Sequence, residues 1–177
     1  MNIVLFEPEI PPNTGNIIRL CANTNCRLHL IKPLGFSLEN KRLRRAGLDY
    51  DEFTELDVHE NLNAFIKKVK PRNIYGLTTK GSIEYSNINF QTTDTLIFGP
   101  ETRGLPPDIR ETIGEKYLLK IPMAPKSRSI NLSNAVAIVL FEALRQTNFS
   151  LLKLGKRNER KNRCVLRQYN LLHRDGG

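Results

Sequence analysis

Short apolar runs separated by helical stretches constrain this chain more than any other feature. NIVLF (2–6), RLHLI (27–31), NIYGL (73–77), DTLIFG (94–99) and KYLLKI (116–121) have strand length, too short for helices. Between them, helices are expected over about 14–25, over 60–70, from Pro107 to about Ile113, and through the long stretch after Ile130. KRLRRAG, at 41–47, reads as a short basic helix. Strands alternating with helices define an α/β fold: a mostly parallel sheet with helices on both faces. The 177 residues, 40% apolar, suffice for one well-buried domain. It is expected over 1–150, with 151–177 as a basic C-terminal extension.

Several classes of protein are disfavoured. MNIVLFEPEIPP has four consecutive strongly apolar residues before Glu7, too few for a signal or a membrane span. Cys21, Cys26 and Cys164 form no CxxC pair, and His29, His59 and His173 are scattered. Neither a disulfide framework nor a metal site is expected, and a reducing, cytoplasmic setting fits. The net charge of +9 points to an anionic partner, with nucleic acid foremost. Six of those nine charges fall in 151–177, which reads either as a nucleic-acid arm or as a solvated tail.

Three strands run into loops of similar character: TTKG after NIYGL, PETRGLP after TLIFG, and PMAPKSRSINLSN after LLKI. Ligands of open α/β sheets sit in the crevice beyond such carboxyl ends. The third loop crowds Ser127, Ser129, Asn131, Ser133 and Asn134 around Arg128, more polar groups than one helix start needs. Gly99 to Gly104 has phosphate-loop spacing, but Leu105 and Pro106 replace the lysine and hydroxyl of that motif. No G-x-G-x-x-G follows a strand, and no G-x-S-x-G is present. An adenosine-type cofactor held by backbone and apolar groups stays open, and composition does not choose it.

PPNTGNIIRLCANT (11–24), LIFGPETRGLP (96–106) and IPMAPKSRSINLSNAVAI (121–138) resemble, in order and spacing, the three motifs of the SPOUT RNA methyltransferases. With RLRRAGLDYDEF (42–53) and LTTKG (77–81), the chain is similar to the small bacterial members that 2′-O-methylate the wobble cytidine or uridine of tRNA, leucine tRNAs foremost. The resemblance spans roughly residues 2 to 147. It implies a C-terminal trefoil knot, a homodimer, S-adenosylmethionine as cofactor with S-adenosylhomocysteine as product, no metal, and tRNA as partner.

The same resemblance assigns the cofactor contacts. Leu77 and Thr78 come from the first loop, and Gly99, Pro100, Glu101 and Gly104 from the second. Ile121, Met123, Ser129, Asn131, Leu132 and Ala135 come from the third. Arg19, with Asn16 one turn earlier, is placed at catalysis. A guanidinium is a poor general base, so Arg19 suits a positioning charge on substrate phosphate and nascent oxyanion better. A surface salt bridge is its alternative role. Glu101 stands either as a proton acceptor or as a loop-ordering group beside Arg103. Arg42, Arg44, Arg45, Lys80 and Arg128 are the expected RNA contacts. Phe141 departs from the tyrosine that such proteins often carry in the last helix. Methylation of another RNA site, or RNA binding without turnover, are the alternative functions.

Overall fold

A computed structural model describes residues 1–38 and 56–152. Seven parallel strands form one sheet among these residues: β1 (Asn2–Phe6), β2 (Arg27–Ile31), β3 (Leu56–His59), β4 (Ile74–Leu77), β5 (Ile83–Glu84), β6 (Thr95–Phe98) and β7 (Leu118–Lys120). Their order is β3-β2-β1-β6-β4-β7-β5. The interior strands read as unbroken apolar runs because both of their faces are covered. Alternate side chains serve opposite faces. Ile3 and Leu5 of β1 join one core with Leu30 and Phe98, while Val4 and Phe6 join the other with Ile31 and Ile97.

Helices α1 (Pro11–Thr24) and α4 (Leu132–Gln146) cover the first face through Ile17, Ile18, Val136, Val139 and Leu140. On the other face lie α2 (Leu62–Val69), with Leu62 and Phe65, and α3 (Pro107–Ile113), with Ile109 and Ile113. The expected α/β architecture, with helices on both faces, is therefore present, and every strand pairing is parallel.

Local sequence explains most element boundaries. α1 begins at Pro11, earlier than the apolar period indicates, because proline at the first helical positions brings a helix-ready φ and no orphaned donor. The Asn61 side chain caps α2 by accepting from the Ala64 amide at 2.9 Å. KYLLKI shortens to the three-residue β7, because Glu115–Tyr117 forms a 3₁₀ turn before it. β3 and β5 are additions to the expected strands. The expected basic helix at 41–47, with Arg42, Arg44 and Arg45, lies outside the described residues, as does 153–177. Cys21 and Cys26 are buried thiols, not joined in a disulfide. No described helix is long and apolar enough to cross a membrane.

The returning chain shapes the end of the sheet that matters for function. β7 inserts between β4 and β5, so the β4–β5 loop must cross its carboxyl end. There the Thr78 amide donates to the Leu119 carbonyl at 2.9 Å. At Gly81 a Cβ would lie 2.6 Å from the Leu119 carbonyl carbon, so only glycine permits this crossing.

Candidate active site

The carboxyl ends of β4, β6 and β7 open into one cavity of about 510 Å³. That volume falls within the range of sites for cofactor-sized molecules. The first loop contributes Leu77, Thr78 and Lys80, and the second Gly99, Pro100, Glu101 and Gly104. The third contributes Ile121, Met123, Ser129, Asn131, Leu132 and Ala135. All twelve residues expected to hold a cofactor thus line a single cavity. Leu77 and Leu132 are buried apolar walls, while Ser129 and Asn131 are exposed at the rim. Gly99 is obligatory here: a Cβ on it would lie 2.2 Å from the Leu105 nitrogen, inside the turn that carries Gly104.

A polar chain fastens this cavity to α1. The α1 start has no side-chain cap of its own. Glu101, arriving from the loop after β6, supplies one. Its carboxylate accepts from the Glu9 amide at 2.8 Å, the Ile10 amide at 3.2 Å and Asn13 Nδ2 at 3.0 Å. Negative charge at a helix N-terminus is favourable, so the contact orders both segments. Asn13 Oδ1 accepts in turn from Asn131 Nδ2 at 3.0 Å. Asn131 then caps α4, its Oδ1 accepting from the Ser133 amide and hydroxyl at 2.9 and 2.8 Å and from the Asn134 amide at 3.4 Å.

The surplus of polar groups before α4 therefore divides its work. Asn131 caps and tethers, Ser133 braces the cap, Ser127 donates to the Ala124 carbonyl within the loop, and Ser129 faces the cavity. A second clasp joins the same loops. Glu9 accepts from the Thr102 amide at 3.0 Å and from Arg103 Nη1 at 3.0 Å, and Arg103 Nη2 also pairs with Glu7. Arg103 thus bonds Glu7 and Glu9, while Glu101 bonds the start of α1 and so has the geometry of the loop-ordering alternative.

Asn16 and Arg19 do not line the cavity. Both are exposed on α1, following Asn13 at three-residue spacing, so one helix face leads from the cavity wall to Arg19. Arg128 is exposed and also stands outside the lining, whereas Lys80 is at the mouth. Asn13 and Arg110 are among the cavity residues outside the expected set. Asn13 is 7% exposed and holds the tether. Arg110, on α3, lines the cavity with a buried Nε that has no hydrogen-bond partner. Sequence alone singles out neither, because the Asn13 contacts and the place of Arg110 in the cavity wall are both set by tertiary packing.

The histidines also differ from expectation. His29 and His59, distant in sequence, stand on neighbouring parallel strands with Nδ1 and Nε2 3.1 Å apart. Burial and the neighbouring His59 lower the His29 pKa to about 4. Burial also lowers that of His59.

Fold and site together define an α/β protein with a cofactor-sized pocket built from three loops and clasped to its first helix. Residues 1–141 match the SpoU rRNA Methylase family, and the chain belongs to that family. It is 57% identical over 149 residues to the tRNA (cytidine(34)-2'-O)-methyltransferase of Methylovorus glucosotrophus, covering 84% of this chain and 97% of that one. It also resembles a solved structure described as "Structural insights into the 2-OH methylation of C/U34 on tRNA". There the TM-score is 0.76 and the identity 40%, over 83% of this chain and 95% of the other. An AdoMet-bound rRNA methyltransferase from Sinorhizobium meliloti matches with a TM-score of 0.71 at 26% identity, over 81% of this chain and 55% of its own.

Proposed function

We propose that this protein transfers a methyl group from S-adenosylmethionine to the ribose 2′-oxygen of nucleotide 34 of tRNA, cytidine or uridine, leucine tRNAs being the first candidates. The observation that carries the reading is the single cavity formed by all three loops, taken with the 57% identical tRNA (cytidine(34)-2'-O)-methyltransferase. The residues fit the cofactor. Leu77, Ile121 and Leu132 give apolar walls for a purine, Gly99 allows close backbone approach, and Arg110 offers an unspent charged donor for a carboxylate. When bound, the cofactor supplies an electrophilic methyl on a sulfonium centre.

The protein's part is to place a ribose hydroxyl in line with that methyl and to stabilise the oxygen as its proton passes to solvent water. Arg19 serves as the positioning charge on RNA phosphate and nascent alkoxide, with Asn16 orienting it from the preceding turn. Glu101 is a structural carboxylate in this scheme, since its oxygens already accept from three donors. Lys80 and Arg128, with Arg42, Arg44 and Arg45, hold the phosphates of the anticodon loop, whose single-stranded riboses are accessible. The methyltransferase domain is assigned to 1–150 and a basic C-terminal extension to 151–177. Methyl transfer itself needs no metal.

The working form is a cytoplasmic homodimer. Ile138 and Phe141, 36% and 47% exposed on α4, are the apolar surface that a second copy covers. Phe141 keeps ring packing there without a tyrosine hydroxyl. The insertion of β7 between β4 and β5, beneath the loop pinned at Gly81 and Leu119, supports a trefoil knot in this half of the chain.

The test is nucleoside mass spectrometry of tRNA from cells with and without the gene, beside calorimetry of S-adenosylmethionine binding in chelator. Loss of the 2′-O-methyl group at position 34 and metal-independent binding are expected. A 2′-O-methylation lost from rRNA instead would favour the second reading, whose support is the description of the matching family.

A further inference from the structure

The β2–β3 register sets His29 beside Asp57 and Ile31 beside His59. One donor atom from each of His29, Asp57 and His59 falls within a 4.8 Å group, on strands that contribute nothing to the cavity. We propose that this cluster binds one zinc-class divalent ion through His29 Nδ1, His59 Nε2 and Asp57 Oδ2, with water as the fourth ligand.

Five features carry the assignment. The two ring nitrogens stand 3.1 Å apart, near the roughly 3.3 Å separation that tetrahedral zinc with about 2.0–2.1 Å bonds requires. Asp57 Oδ2 lies 3.7 Å from His29 Nδ1, and the three donor atoms all lie within 4.8 Å of one another, so rotation of the partly exposed carboxylate brings the third ligand to the ion. The outer contacts already point the donors inward. His29 Nε2 lies 3.3 Å from Asn2 Oδ1, which fixes Nδ1 toward the cluster, and Lys68 Nζ holds Asp57 through Oδ1 at 2.7 Å, leaving Oδ2 to face the rings. Phe65 packs its ring 5.0 Å from His29 and 5.3 Å from His59, closing the side toward α2. Asp57 is 44% exposed and gives the ion an entry path.

Two imidazoles and one carboxylate suit zinc, cobalt or nickel and not the all-oxygen preference of magnesium or calcium. The ion would tie β3 to β2 at the two ends of the segment that carries Arg42, Arg44 and Arg45. Without an ion, one imidazole N–H donates to the other, a neutral contact that calls for no third group.

The test uses the untagged full-length protein, stripped with chelator and titrated with Zn²⁺ and, separately, Co²⁺. One equivalent of Zn²⁺ should bind and raise Tm, and Co²⁺ should give the visible absorption of a tetrahedral site. His59→Gln should abolish that absorption, and Asp57→Asn, at a partly exposed position that leaves the core intact, should weaken Zn²⁺ binding at least tenfold. Absence of stoichiometric binding, or binding unchanged in folded Asp57→Asn, would overturn the site. Calorimetry with S-adenosylmethionine should be unaffected, since the cavity lies elsewhere.

Discussion

Asn131 Nδ2 donates to Asn13 Oδ1 at 3.0 Å, joining the N-cap of α4 to the first turn of α1, 118 positions apart. Asn13 passes the connection on to Glu101, so all three motif segments meet through one nearly buried amide. Asn13→Ala leaves Asn131 and Glu101 each short of a partner. Loss of such a bond costs about 1–3 kcal/mol. A lower Tm and weaker S-adenosylhomocysteine binding by calorimetry are expected together, and an unchanged pair of values would contradict the tether.

Glu101→Gln separates a structural carboxylate from a catalytic one. The substitution turns one acceptor oxygen into a donor facing amides that themselves donate, so about 1–3 kcal/mol of stability should be lost. Activity at a temperature where the variant is folded should fall only in proportion to cofactor affinity. A wild-type Tm with abolished turnover would make Glu101 the base instead.

Arg110→Met keeps the apolar stem and removes the guanidinium. The buried, unpartnered Nε should then no longer meet the cofactor carboxylate, and affinity should fall about tenfold, equivalent to about 1.4 kcal/mol. Unchanged calorimetric affinity in a folded variant would remove Arg110 from the pocket's function.

Arg19→Ala should abolish methyl transfer while cofactor affinity stays near wild type, because Arg19 stands outside the cavity. Arg19→Lys should restore activity only in part, since an ammonium lacks the planar fork. Single-turnover methylation beside a thermal melt checks this. Loss of Tm and cofactor binding together would instead indicate a structural ion pair.

His29 sets a pH dependence in the metal-free protein. Its folded pKa is lowered to about 4 from 6.5, so between those values the unfolded chain binds the proton more readily. Burial and His59 lower it, Arg27 and Lys68 add to the effect, and Asp57 opposes it. Stability is therefore full above pH 6.5 and falls, by up to about 3 kcal/mol from this group, as pH drops toward 4. Denaturant melts in chelator from pH 7.5 to 4.5 should show the decline, and His29→Asn should flatten it. A flat wild-type profile would contradict a neutral, buried His29.

The strands that were legible from sequence are those with both faces covered, since burial leaves an apolar run in NIVLF and TLIF and one broken only by His29 in RLHLI. LDVH was not legible because β3 is an edge strand whose exposed Val58 and polar Asp57 break that signal. The two-residue β5 has too little length to carry one. The crevice was legible because three loops follow strand ends, which chain direction puts at one end of the sheet; its individual wall residues followed from the resemblance, since Ser129 to Ala135 lie well past the end of β7. Asn13, Arg110 and the His29–His59 pair were not legible, because parallel pairing or helix packing sets what each of them faces.

Transfer of a labelled methyl group to two matched leucine-tRNA substrates tests the central claim most directly, one with ribose and one with 2′-deoxyribose at nucleotide 34. Purified protein with S-adenosylmethionine should label the first at that nucleotide alone and leave the second unlabelled. Equal labelling of both, or labelling at any other nucleotide, would contradict 2′-O-methylation at position 34.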